Sequence, residues 1–340
     1  MQTTHQIPAM DRTPLVSVGI PTYNRPDGLL RTIKQICSQT YVRLEIVISN
    51  NASPNPMVAA LLGRCSELDP RIRVVNQPEN LGIVKNFQYV LNHTQGEFFM
   101  WAADDDEWEP SFVATCVDGL LSHPVGTVMP GFMRHNRALG AKGLANLPRM
   151  TGEDRYADVM SFYAALPHSI FYGLHRRSTI AWLGQTDDAG FDDEYFLVRQ
   201  IVKHGIRTLP ESVLYVAGIE DAQYKIKLPK EAEDRYFFQG RRLLNFARVF
   251  LEDAGLTDLQ KLALMQKVVL TKLSFVLNYE SELRRPDQLA LTRLLYIFLS
   301  QIDLANLGVY ANLMANVNAA LNAPPSPSPA AEPQQTAVTA

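Results

Sequence analysis

Two textures of hydrophobic patterning run along this chain. Over the first two thirds, short β-branched or aromatic runs alternate with longer amphipathic stretches; after Pro229, long helical patterns take over with no strand signal. The run LVSVGI (residues 15–20) is closed by Pro21 and predicts a buried strand. Asp27 then caps a helical pattern that puts Leu30, Ile33 and Cys37 on one face. LEIVIS (44–49) predicts a second strand, stopped by the turn formers NNASPNP. A helix over 58–65, a strand over 71–76, the loop QPENLG, a helix over 84–93 and the strand EFFMW follow.

Strands alternating with helices at this spacing imply βαβ units, and so an α/β fold with a mostly parallel sheet covered by helices on both faces. A helix from Pro110 to about Ser122 and strands in GTVMPGF and SIFYGLHR continue the pattern. Between those strands, 134–167 carries glycines, prolines and weak periodicity and predicts loops. FDDEYFLVRQIVKHG predicts a helix with acids in its first turn and Gly205 as its stop. The terminal APPSPSPAAEPQQTAVTA has too few large apolar groups to offset the entropy of ordering. The expected organisation is a flexible arm over 1–13, an α/β domain over 14–228, a helical module over 229–322 and a disordered tail over 323–340.

Composition narrows the class. The 340 residues are 46% hydrophobic and 20% charged, as in globular proteins, and the net charge of -3 offers no broad cationic field for nucleic acid. Cys37, Cys65 and Cys116 lack metal-ligand spacing and read as buried thiols of a reducing compartment. No signal-peptide pattern opens the chain, and no apolar run is long enough to span a bilayer. A cytoplasmic protein is expected, with the inner face of the plasma membrane as the place of any peripheral contact.

The stretch GEFFMWAADDDEWEP concentrates the chemistry. An apolar strand ends in three adjacent aspartates, although neighbouring carboxylates repel and are costly to desolvate. In an extended strand end Asp104 and Asp106 point one way and Asp105 the other, and a turn can gather two of them onto one cation. Hard oxygen ligands suit Mg²⁺ or Mn²⁺, which keep positions open for phosphate oxygens. The plainer alternative is a solvated acidic loop leading into the helix after Pro110. Position favours the first reading, because ligands of open α/β sheets bind beyond the carboxyl ends of the strands. Three such ends, PTYNRP, NNAS and ADDDE, converge on one rim.

These segments, with ENLGIVKNFQYVLNHTQGEFFMWAADDDEWEP and FDDEYFLVRQIVKHG in the same order, resemble the family 2 glycosyltransferases of GT-A fold over roughly residues 14–216. The resemblance implies sugar transfer from a nucleoside diphosphate sugar to a hydroxyl acceptor, with inversion and a divalent metal. It implies that Pro21, Tyr23 and Asn24 lie against the base, with Tyr23 as a stacking face. It puts Asn50 and Asn51 where the family carries two acids that read the base. An amide can accept and donate there, so base binding survives and UDP is favoured without being fixed. Lys85 falls at a position facing the diphosphate, Asp104 near the ribose, and Asp105 at the metal. Asp106 is either a second metal ligand or a charge at a helix start. Asp193, in an acid pair placed seven residues before an arginine, becomes the candidate general base. For each of these a structural role stays open: Asp193 also complements a helix dipole, and Lys85 also suits a solvated surface.

The expected acceptor is a surface glycan or a lipid-linked sugar. The C-terminal apolar stripes are expected to pack on the catalytic domain, with pairing of two copies or contact with a membrane surface as the alternatives. A second reading keeps the fold without catalysis, as a nucleotide-sugar-binding or scaffolding protein; Ala103, Asn50 and Asn51 favour it. A nucleotidyltransferase would want a glycine-rich, basic first loop in place of PTYNRP, and no Walker, H-E-x-x-H or G-x-S-x-G pattern is present.

Overall fold

The computed structural model describes residues 13–136, 140–186, 191–219, 243 and 245–279. Residues 1–12 of the arm expected over 1–13, the helical module beyond residue 279 and the tail over 323–340 lie outside the described residues. The chain divides into two compact units, Met1–Lys272 and Leu273–Ala340, and the first holds the sheet.

The expected alternation is observed: β1 (Val16–Thr22), α1 (Pro26–Cys37), β2 (Leu44–Asn50), α2 (Pro56–Leu62), α3 (Cys65–Leu68), β3 (Ile72–Asn76), α4 (Ile83–Asn92) and β4 (Phe98–Trp101). Then come β5 (Glu107–Trp108), α5 (Phe112–Ser122), β6 (Thr127–Asn136), β7 (Ala141–Leu144), α6 (Arg155–Ala165), β8 (Leu174–Arg176), α7 (Arg177–Ile180), α8 (Asp193–His204) and β9 (Ile206–Ile219). One sheet runs β3-β2-β1-β4-β8-β6-β9-β5, with β7 on the side of β6. The β1–β2, β1–β4, β2–β3 and β6–β9 ladders are parallel and carry most of the pairing. Every residue of β1 and of β4 is buried. Successive side chains of a strand point to opposite faces, so both faces are covered and the runs need no polar alternation.

The chain steps outward from β1 to β2 and β3, then returns to lay β4 on the other side of β1. Such a reversal opens a crevice at the carboxyl ends of the two central strands, because the connections leave in opposite directions. PTYNRP leaves β1 there and ADDDE leaves β4.

Several expectations are corrected. Helix α1 begins one residue before Asp27, because Pro26 at the first helical position has no N–H to leave unpaired and a preset φ. The helix expected over 58–65 is broken at Gly63 into α2 and α3. The segment 134–167, expected to be loops, holds β7 and α6, the latter capped by Asp154, whose side chain accepts from the Ala157 N–H. SIFYGLHR forms a 3₁₀ turn before the short β8, and β9 was not expected at all. Pro210 disguises β9: a proline weakens any strand reading, and here it sits opposite a register shift between Pro130 and Phe132.

The described residues of the C-terminal segment up to Lys272 pack within this unit. Phe246, Val249, Phe250, Leu264 and Val268 are buried, and Phe246 meets Tyr195 of α8 edge-on. Lys272, on helix α9 (Asp258–Tyr279), donates to the buried Glu194 carboxylate at 2.5 Å, and Tyr163 donates to the other Glu194 oxygen at 3.1 Å. No helix among the described residues is long and apolar enough to cross a membrane.

His175 on β8 gives the core a pH dependence. The Phe171 carbonyl can only accept, so Nε2 carries the proton toward it (3.0 Å), and Nδ1 accepts from the Thr127 hydroxyl (2.9 Å). Burial holds the ring neutral and pushes its pKa down to about 4. The unfolded imidazole, near 6.5, therefore binds its proton first as pH falls. Stability from this site is complete above about pH 6.5 and is lost progressively toward pH 4. Denaturant melts from pH 7 to 4 are expected to show His175→Gln losing about 3 kcal/mol less than the parent over that range; equal acid sensitivity would remove His175 as the cause.

Candidate active site

The loop after β1 is shaped by two local features. Asn24 has φ 62°, a left-handed conformation that asparagine tolerates better than most residues, and its N–H donates to Ser53 Oγ at 2.9 Å. Arg25 follows, and Pro26 fixes the start of α1 directly behind it. Helix α1 then runs against the loop after β4. A Cβ on Gly28 would lie 1.9 Å from the Asp104 carbonyl oxygen, so only glycine allows this approach. One turn on, the Thr32 hydroxyl donates to the Ala103 carbonyl at 3.1 Å.

The three aspartates divide in role. Asp104 is buried, and its Oδ2 accepts from the Thr22 hydroxyl at 2.8 Å across the β1–β4 crevice. One guanidinium nitrogen of Arg25 lies 3.1 Å from Asp104 Oδ1 and 3.1 Å from Asp105 Oδ2. Burial pushes the Asp104 carboxyl up and Asp105 adds to it, while Arg25 and Thr22 pull it back; the balance leaves its pKa at about 6. Asp105 is partly exposed to the cleft. Asp106 is buried, with Oδ2 accepting from the Tyr215 hydroxyl at 2.5 Å and Oδ1 from the Gly218 N–H at 2.8 Å. Both its oxygens tie the loop to β9. The expectation of a second metal ligand thus meets a carboxylate already engaged in the fold.

A cleft of about 320 Å³ opens beside this cluster. Its walls include Pro21, Tyr23, Asn51, Asn80 and Tyr172, together with Arg25, Asp104 and Asp105. Tyr23 is 43% exposed, as a stacking face requires. Burial first, then the negative charges of Asp106, Asp105, Asp193 and Asp104, hold the Tyr172 phenol protonated, well above its ordinary range. That field connects Asp193 to the acidic cluster, although Asp193 is exposed at the first turn of α8 and does not itself line the cleft. Its Oδ1 accepts from the Glu194 N–H at 2.9 Å, while Asp192 caps the helix by accepting from the Tyr195 N–H at 2.7 Å. Phe191, just before α8, packs on the cleft residue Phe87 and on Phe171.

The amides expected to read the base serve the scaffold. Asn50 Nδ2 donates to Asn76 Oδ1 (2.9 Å) and its Oδ1 accepts from the Ser53 N–H (3.1 Å). Asn51 Nδ2 donates to Asn80 Oδ1 and the Gly82 carbonyl, and its Oδ1 accepts from the Leu81 N–H at 2.8 Å. Asn51 lines the cleft all the same, and Asn50 and Asn24 do not. Lys85 is exposed on α4 and is not among the cleft residues. Sequence reasoning left out Arg25, Asn80 and Tyr172. The only signal for Arg25 was its place in PTYNRP and for Asn80 its place in the loop QPENLG; Tyr172 lies in a segment of unremarkable composition.

If Asp106 is structural and Asp105 is not, their deletions must differ. In urea melts Asp106→Ala is expected to cost roughly 2–4 kcal/mol, since it strips partners from a buried hydroxyl and a backbone N–H. Asp105→Ala is expected to cost less than about 1 kcal/mol, as for a partly exposed ion pair. Equal losses would contradict this division.

Comparison with known proteins bears on the same region. The sequence profile described as Glycosyl transferase family 2 matches residues 17–186. An uncharacterized glycosyltransferase of Haemophilus influenzae is 31% identical over 124 residues, covering 36% of this chain but only 38% of that protein. The putative colanic acid biosynthesis glycosyl transferase WcaA of Escherichia coli is 23% identical over 256 residues, covering 70% of this chain and 85% of its own. In fold, residues 1–349 of S. aureus TarS, solved with UDP-GlcNAc, superpose with a TM-score of 0.62 at 16% identity, covering 81% of this chain and 77% of that one. The solved likeness speaks for the GT-A architecture.

Proposed function

Because the chain belongs to glycosyl transferase family 2, we propose that it moves a glycosyl group from a nucleoside diphosphate sugar to an acceptor hydroxyl, with inversion, in the cleft above β1 and β4. The observation that carries this reading is the pairing of Thr22, Arg25, Asp104 and Asp105 across the strand-order reversal. Charged groups are concentrated where the fold binds ligands, beside an exposed tyrosine suited to a base. UDP is the favoured nucleotide and a surface glycan or lipid-linked sugar the favoured acceptor. The three free thiols agree with the reducing cytoplasm proposed for it.

The donors present can be tested against a divalent cation. Asp105 offers a hard carboxylate oxygen at the cleft, Asp104 lies beside it, and Asp106 is engaged elsewhere. Among the described residues no cluster of three or more metal-ligating side chains exists. That inventory fits Mg²⁺ or Mn²⁺ held by one or two carboxylates and by the phosphates of a substrate, the usual way these ions are bound. Asp105 would hold it, and when bound it supplies positive charge to the departing diphosphate. Tyr23 stacks the base, and Thr22 fixes the Asp104 carboxylate. Tyr172, kept protonated, can only donate to a substrate oxygen from its phenol proton or accept as a neutral oxygen. Asp193 takes the acceptor proton as the hydroxyl attacks the anomeric carbon, the role of a general base.

The reading is tested by incubating the protein with Mn²⁺, a panel of UDP-, GDP- and dTDP-sugars and a set of glycan and polyprenyl-linked acceptors. Acceptor-dependent release of the nucleoside diphosphate is expected; tight nucleotide binding with no release would favour a binding protein instead. Within an active pair, Asp193→Asn is expected to lower kcat by roughly 10²-fold while leaving the donor KM within about twofold. A variant whose donor KM rises in step with its loss of activity would make Asp193 a binding residue.

A further inference from the structure

Among the described residues lining the cleft Arg25 is the single cationic side chain, and it is bound to the two acids that a metal would need. We propose that Arg25 is a tethered counter-ion: in the nucleotide-free protein it occupies the acidic pair and keeps a divalent cation out, and on nucleotide binding it passes to the diphosphate and releases Asp105 to the cation. The proposal rests on the nucleotide-sugar reading of this cleft.

Three observations support it. One guanidinium nitrogen is equidistant, at 3.1 Å, from an oxygen of each carboxylate, so it sits where a shared cation would have to come between them. Arginine keeps its charge at any accessible pH, so the acids cannot be freed by its deprotonation; they are freed only if another anion competes for the guanidinium. A diphosphate is such an anion, and a planar fork of donors binds its oxygens in pairs. Geometry also limits the travel. Asn24, held in a left-handed turn, and Pro26, fixed at the start of α1, anchor the backbone on either side of Arg25, so the switch is a side-chain movement. The Arg25 side chain is 21% exposed and lines the cleft that the anion would enter.

Charge arithmetic gives the expected effect. With both acids ionised, the trio of Asp104, Asp105 and Arg25 carries one net negative charge, and removing the arginine charge makes it two. A cation near the pair then gains attraction and no longer has to displace a guanidinium. Arg25→Gln is therefore expected to bind Mn²⁺ about tenfold or more tightly than the parent in the absence of nucleotide. Binding is read from the electron paramagnetic resonance of free Mn²⁺, with a thermal melt confirming that the variant is folded. In the parent, UDP should raise Mn²⁺ affinity by about tenfold or more, and by linkage Mn²⁺ should raise UDP affinity equally. In Arg25→Gln that coupling should shrink to about threefold or less, with Arg25→Lys between the two. Unchanged Mn²⁺ affinity in folded Arg25→Gln, with UDP still bound by the parent, overturns the counter-ion proposal alone. Failure of the parent to bind UDP at any Mn²⁺ concentration overturns the nucleotide-sugar reading and the transfer to diphosphate with it.

Discussion

Taking a carboxylate out of water at the centre of a sheet is the constraint around which this unit is arranged. Asp104 is 7% exposed, and burial pushes its carboxyl well above the ordinary range. The Thr22 hydroxyl and the Arg25 guanidinium recover part of that loss, enough to bring its pKa down to about 6 and not to the ordinary value. A loop of successive aspartates is thus tolerated because each carboxylate has a partner of its own or shares a guanidinium. Asp104 faces β1, Asp105 shares the arginine at the cleft, and Asp106 turns toward β9. Neighbouring charges that would repel in a shared solvent are separated onto three elements.

The backbone that carries these charges is braced from α1. Gly28 and Thr32 lie one helical turn apart on the same face, one touching the Asp104 carbonyl and the other bonding the Ala103 carbonyl. The helix that follows β1 therefore clamps the loop that follows β4, and the crevice created by strand order becomes a rigid one. On the other rim the Asn50 and Asn51 amides do similar work, tying the ends of β2 and β3 and the approach to α4. Catalytic groups held on such elements are positioned more closely than groups on free loops.

Much of this was legible in the sequence because the central strands are buried on both faces and read as continuous apolar runs. LVSVGI, LEIVIS and EFFMW, each closed by polar punctuation, correspond to β1, β2 and β4. The order of those strands was not legible, yet the rule that polar ends converge on the carboxyl side of a parallel sheet was enough to find the cleft. Two other strands were harder. Strand β9 carries a proline and pairs through a register shift, and β7 is exposed at all four positions, so neither has the period that marks a half-buried strand. The division of labour among the aspartates was illegible for another reason. It depends on Tyr215 and Gly218, more than a hundred residues downstream, and on an arginine whose partner is chosen by the fold.

The same distances clarify why neutral amides at 50 and 51 suit this site. An anion that enters brings negative charge to a cleft whose described lining already holds two carboxylates against one guanidinium. Acids at the end of β2 would add to that repulsion within the distance over which charges interact at a partly dry surface. Asparagines keep the hydrogen bonds that brace the rim and leave the charge out. Among the described residues lining the cleft, the charged side chains are the two acids Asp104 and Asp105 and Arg25 beside them, so an anion that enters meets the arginine while it is still paired with carboxylates.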